Sequence, residues 1–376
     1  MSNTRTAPPG AEPSNTARLA SSKLMGIKVG LNIVAQVARV RSDDERAAML
    51  WLTNYAHLQD LTADALGEEL DMEKAEIRRA LTDPDADLSR FVRQVEALRA
   101  KFEAAIPKLA NTKVKRKIAN AVKFATSGTP QIVEIVGKTR MGKTDSARAE
   151  YLKRLDHAVW LHCPSASTEK DFLNALGRAC GIGVGSTGLK NTQLRPKIEG
   201  CFGARRMRLL FVDEGHRLWP TDLKSQPSRI EFLRDLWELH GVSVIILATP
   251  QYSEALASAM ESNPRWSPGQ WDGRVQRSHL ADTMDRADLE AVARHHAPGF
   301  GDELIAKLVE QAESSEGFCG VMVKAIQRVN FMAAEQERPV DLKMLETAQA
   351  ELARGTRLEQ LAKSGGRKVV TLRRAA

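Results

Sequence analysis

Residues 137–144 read Gly-Lys-Thr-Arg-Met-Gly-Lys-Thr, directly behind the mostly apolar run Gln131–Val136. The octet satisfies G-x-x-x-x-G-K-[ST] in full, and a helical pattern follows it. It dictates a local structure: a buried strand, a tight turn whose glycines let the backbone N–H groups point inward, and a helix whose N-terminus faces the turn. Such a turn cradles phosphates. Lys143 would reach the β- and γ-phosphates, and the Thr144 hydroxyl would ligate Mg2+. Gly137, Lys138, Thr139, Arg140, Met141, Gly142 and Asp145 complete the expected lining.

Further apolar runs alternate with helical segments at Ala158–Leu161, Arg208–Val212 and Val242–Leu247. That alternation predicts an α/β fold with a parallel sheet covered on both faces. The run Arg208-Leu-Leu-Phe-Val ends in Asp213-Glu214. Asp213 would hold Mg2+, and Glu214 would polarise the attacking water as general base. The nucleotide is then ATP, and the reaction its hydrolysis. The run Val242–Leu247 leads through Ala248 to Thr249, placed to touch the γ-phosphate or the water, or else to start a helix before Pro250. Beyond it, Gly273-Arg-Val-Gln-Arg277 offers Arg274 first, and Arg277 second, as an arginine reaching into a neighbour's site.

This order of strands, acids and arginines, followed by helices to residue 353, resembles the AAA+ ATPases. The resemblance implies homo-oligomeric rings or helical filaments with ATP between subunits, and a lid residue on the nucleotide. In Gly320-Val-Met-Val-Lys324, Val323 stands where the family's Gly-x-x-Arg has its arginine, so Lys324 is the candidate.

Ahead of the core the pattern is helical. Leu50, Leu58, Leu61, Leu66, Leu70, Ile77 and Leu81 are the expected anchors. Leu61–Leu81 reads as helix-turn-helix: Thr62 caps a helix to Leu70, Asp71-Met72 turn, and Glu73–Leu81 carries Lys74, Arg78 and Arg79. Such a second helix enters the major groove, although a helical protein-interaction module has the same pattern. A basic helix follows, with Lys113, Lys115, Arg116 and Lys117 placed for sequence-independent phosphate contacts. The formal net charge of +8 suits a polyanion partner. Four cysteines without metal-type spacing point to free thiols in a reducing compartment. No apolar run approaches the ~20 residues of a membrane helix, so a cytoplasmic protein is expected.

The expected organisation is an N-terminal arm (1–40), a helix-turn-helix domain (41–106), a linker and basic helix (107–125), an ATPase core (126–284), a helical lid (285–354) and a basic tail (355–376). With the GKTRMGKT loop, the VDEGHRL segment, the basic helix and the N-terminal helix-turn-helix, it resembles the transposition ATPases of the phage Mu B protein and IstB type, with TnsC more distant. Mu-type relatives end the fourth strand in Asn where this chain has Thr249. The resemblance implies ATP-dependent assembly on double-stranded DNA, largely nonspecific, and target selection for a partner transposase. The alternatives are another DNA-associated AAA+ regulator, such as a replication initiator, helicase loader or phage-defence ATPase, or a nucleotide-switched scaffold that barely hydrolyses ATP.

Overall fold

A computed structural model describes residues 34–352, apart from 35, 36, 39, 166–167, 183–189, 206, 221, 223–224, 263–265 and 316–317. Most of the expected N-terminal arm and the whole basic tail lie outside the described residues. The chain divides into two compact units. The first takes residues 1–108, 114–138 and 143–280; the second takes 109–113, 139–142 and 281–376. Among the described residues no helix is long and apolar enough to cross a membrane.

The described part of the first unit includes, ahead of the basic helix, α1 (Asp43–Leu58), α2 (Ala63–Leu70), α3 (Lys74–Thr82) and α4 (Ser89–Ala105). Ser42 and Glu45 form a capping box at the start of α1. Thr62 accepts the Ala65 N–H to cap α2, and Asp71 ends that helix in the left-handed region at φ 49. Trp51 stacks on Tyr55 with centroids 4.9 Å apart, and Phe102 of α4 meets Tyr55 edge-on at 5.2 Å. The expected anchors need one correction. Leu58 and Leu61 are only half-buried, while Met49, Trp51 and Leu52 are fully buried. The buried face of this helix runs from Ala48 to Ala56 and stops short of Leu58.

The basic helix α5 (Lys113–Thr126) buries Val114, Ile118, Val122 and Ala125 along one stripe and leads to β1 (Ile132–Val136). There follow α6 (Lys143–Leu152), β2 (Ala158–His162), α7 (Glu169–Ala179), α8 (Asn191–Arg205), β3 (Leu209–Asp213), α9 (Ser228–His240), β4 (Ser243–Ala248), α10 (Gln251–Ser262), α11 (Pro268–Asp272) and β5 (Val275–His279). The five strands pair in parallel in the order β2-β3-β4-β1-β5. β1, β3 and β4 are buried along their whole length, so they read as near-continuous apolar runs. β5 was not expected from the sequence. Val-Gln-Arg-Ser-His lies at the sheet edge, half-exposed, and needs no apolar run. Arg277, the second choice for an arginine reaching a neighbour, sits within this strand.

The second unit holds α12 (Arg286–His296), α13 (Asp302–Ser314), α14 (Phe318–Glu335) and α15 (342–352). Its core includes Leu289, Leu308, Val309, Met322, Val329 and Leu345. Asp288 accepts the Lys113 N–H at 2.8 Å, both residues belonging to this unit.

Candidate nucleotide site

In a parallel sheet the loops at the carboxyl ends of the strands gather on one edge, where ligands bind. β1 ends at Val136, and the N–H of Gly137 donates to Ala248 O at 3.1 Å, so the loop starts against the end of β4. A β-carbon on Gly137 would lie 2.8 Å from the Leu280 side chain. Gly142 turns the loop at φ +79, a conformation that a side chain resists. Arg140 takes a similar one at φ 63, and in the second unit its side chain lies where a β-carbon on Gly320 would fall, at 2.9 Å.

Lys143 is 9 % exposed, and its ammonium donates to the carbonyls of Gly137 and Lys138, each at 2.6 Å. Burial lowers its pKa, and the charges of Asp213 and Glu214 oppose that shift. The Thr144 hydroxyl donates to Asp213 Oδ1 at 3.2 Å. Asp213 is buried at the end of β3 and accepts the Glu214 N–H at 3.0 Å on the same oxygen. Glu214 follows in the left-handed region at φ 56 and starts a short 3-10 turn, Gly215–Leu218. Lys138, Thr139 and Asp145 are exposed beside these groups in sequence, and Met141 is buried.

Three nearby side chains were not expected from the sequence to take part. His162 ends β2 in register with Asp213, and its Nδ1 lies 3.5 Å from Asp213 Oδ2. That contact raises the imidazole pKa. His216 Nδ1 lies 3.5 Å from Glu214 Oε2, and Arg217 Nη2 lies 3.8 Å from the same oxygen. All three contacts join adjacent strand ends or one turn, so apolar periodicity carries no sign of them.

The other expected residues are placed as follows. Thr249 makes helix-start contacts, its carbonyl accepting from Tyr252 N at 2.9 Å and its hydroxyl 3.5 Å from Gln251 Oε1. Arg277 donates from Nε to Glu134 Oε2 at 2.9 Å and pairs with Asp272. That guanidinium is committed within its own chain. Arg274 is half-buried, donates to Gln270 O and lies 3.7 Å from Glu238 and over the Trp237 ring at 5.7 Å. Lys324 is exposed on α14.

The expected DNA contacts are also partly engaged within the chain. Lys74 pairs with Asp64 and Arg79 with Asp83, while Arg78 is exposed. The turn between α2 and α3 opens into a notch of about 630 Å³ lined by Asp64, Glu68, Asp71, Glu73 and Glu76, against Lys74 and Arg90. On α5, Lys113 pairs with Asp285 and Lys117 donates to His279 O. Arg116 is exposed and Lys115 half-buried.

The four cysteines are buried. Burial pushes the Cys163 thiol up to about 11.

Residues 126–256 match a family described as AAA domain. No curated protein matches the chain. Among solved structures, Cdc6p from Pyrobaculum aerophilum is similar at 13% identity and a TM-score of 0.50, over 65% of this chain and 68% of that one. The ORC2 protein of Aeropyrum pernix follows at 15% identity and 0.45, over 71% and 69%. The RuvB Holliday junction branch migration motor of Thermotoga maritima follows at 16% and 0.41, over 64% and 68%. Of these three, the Cdc6p likeness bears on the fold. Residues 126–256 are thus similar to an AAA domain, on an α/β fold with a parallel sheet.

Proposed function

We propose that this chain is a DNA-dependent ATPase that binds ATP and Mg2+, assembles on double-stranded DNA and selects target sites for a partner transposase. The observation that carries the ATPase reading is the approach of the Thr144 hydroxyl to Asp213, 3.2 Å apart, with Lys143 and Glu214 next to them in sequence. A hydroxyl and a carboxylate are the oxygen ligands that Mg2+ accepts, with water and phosphate filling the remaining positions. Among the described residues no cluster of three or more His, Cys, Asp or Glu forms a metal cage, in keeping with a site that shares its ion with a nucleotide. Gly137 and Gly142 fit a phosphate cradle, the one by close approach and the other by its positive φ. Mg2+ on the phosphates would neutralise developing charge. Lys143 would bind phosphate, Thr144 and Asp213 would hold the ion, and Glu214 would take up a proton from water.

The DNA and transposase parts rest on the order of segments and the net charge. ATP should gate DNA binding, because an assembled array presents many weak basic contacts at once. Duplex binding with ATP, with ADP and without nucleotide, across a salt series, tests this. Affinity that falls steeply with salt and needs ATP supports the reading. Equal binding in all three states overturns it.

One observation favours a second reading for the N-terminal helices. Five carboxylates line the notch where a recognition helix would face phosphates. Such a surface repels DNA and suits a protein partner. On this reading DNA is held by α5 and the chain acts there as a nucleotide-switched scaffold. A Glu73→Lys, Glu76→Lys double variant that binds duplex no better than wild type favours it.

A further inference from the structure

Glu214 lies beside a guanidinium. Its carboxylate lies 3.8 Å from Arg217 Nη2, and both side chains are about one-third exposed. A pair of that exposure contributes little to stability. Its geometry is more informative. The guanidinium of Arg217 is anchored on its other edge: Nη1 donates to Cys163 O at 3.1 Å, just past the end of β2, and lies 3.4 Å from His162 Nε2. The backbone is anchored too. The Arg217 carbonyl accepts from Arg229, a side chain only 4 % exposed, and the Arg217 N–H donates to Glu214 O at 2.9 Å. A guanidinium is a rigid plane with donors on both edges. Here one edge grips β2 and the other faces the acid that follows β3.

We infer that Arg217 is a positioning residue for Glu214: it spans the ends of β2 and β3 and fixes where that carboxylate points. The inference rests on the reading of Glu214 as the base. A glutamate side chain has three rotatable bonds, and a left-handed backbone does not aim it. A base acts only within hydrogen-bond reach of the water it polarises, and a misplacement of about 1 Å can cost on the order of 100-fold in rate. An anchored guanidinium supplies the missing constraint. His216 approaches the same carboxylate oxygen at 3.5 Å from the same turn.

The test is ATP turnover by the full chain with Mg2+. Arg217→Ala should lower kcat roughly tenfold while KM for ATP stays within about twofold, the pattern of a lost transition-state contact. Arg217→Lys should recover part of the loss, because an ammonium keeps the charge but not the two-edged plane. In single-turnover measurements, adding Arg217→Ala to Glu214→Gln should change nothing further, since the group being positioned is gone. If Arg217→Ala does not fold, Arg217→Gln replaces it with the same expectation, because its amide can still donate to Cys163 O. A kcat that is unchanged or raised, or an equal drop on the Glu214→Gln background, overturns the inference while leaving the ATPase reading intact. A wild type that binds ATP and never turns it over overturns both.

Discussion

Glu214 holds its backbone at φ 56, a conformation that costs a residue with a side chain on the order of 1–3 kcal/mol. The next residue allows the chain to stay close to the sheet there. A β-carbon on Gly215 would lie 2.4 Å from Ile246 Cγ2 of β4 and 3.1 Å from Leu247 O. Gly215→Ala must therefore push the turn away from β4 or distort the strand, at about 1–3 kcal/mol. The expected result is a Tm lower by roughly 5 °C together with reduced turnover, since the displaced turn carries Glu214. A melt that matches wild type would show that the turn has slack. Lys143→Ala should abolish ATP binding, measured by fluorescent-nucleotide titration, because no other ammonium is buried at the loop among the described residues. Lys143, Thr144, Asp213 and Glu214 were legible in the sequence because each lies in a short motif at a strand end. Arg217 was not, because its role depends on Cys163 O, which lies 54 residues away along the chain.

At the scale of elements, β1 carries an acid in the middle of the sheet. Glu134 is 0 % exposed and accepts from Tyr252 Oη at 2.6 Å, Trp271 Nε1 at 3.0 Å and Arg277 Nε at 2.9 Å. These bonds join α10, α11 and β5 to the strand that feeds the phosphate loop. Burial pushes the Glu134 carboxyl above the ordinary carboxylate range, against its three donors. An acid whose pKa is raised on folding binds more protons in the folded state. Its contribution to stability is full below the unfolded pKa, near 4.5, and is lost as pH rises through the elevated folded value. Glu134→Gln should therefore remove a pH-dependent part of the Tm above about pH 4.5, read as a difference between variant and wild type across a pH series. Parallel Tm–pH curves would show that Glu134 does not titrate differently on folding. Glu134→Ala should cost more, about 3–5 kcal/mol, because it leaves Arg277 partly buried without its main carboxylate. The apolar runs revealed four strands because buried parallel strands need little else. β5 was hidden because an edge strand can be polar, and its partner for Arg277 lies 143 residues earlier. The helices of the second unit were legible throughout, since each carries an amphipathic stripe between polar turns.

For the whole molecule, the proposed assembly turns on Arg274. Its side chain is 31 % exposed, bonded to Gln270 O and 3.7 Å from Glu238, whereas Arg277 pairs with the fully buried Glu134 and with Asp272. If Arg274 acts on a neighbour's nucleotide, Arg274→Ala alone and Lys143→Ala alone should both hydrolyse poorly. Mixing the two should restore part of the activity, because an intact loop from one can meet an intact arginine from the other. No rescue at any ratio, with a wild type that stays monomeric under ATP, would remove the composite site. The candidate DNA contacts were less legible than the candidate nucleotide residues. Charge marked α5, and a cap, a turn and two short helical patterns suggested the helix-turn-helix, but folding sets Lys113, Lys117, Lys74 and Arg79 against groups of the same chain. The central claim is hydrolysis at the site of Lys143, Thr144, Asp213 and Glu214. Its most direct test is phosphate release from Mg–ATP by wild type and by Glu214→Gln, each with and without duplex DNA, alongside ATP binding. The account predicts wild-type turnover that rises with DNA, and a Glu214→Gln variant that binds ATP normally but turns over about 100-fold or more slower. Equal rates in the two proteins would contradict it.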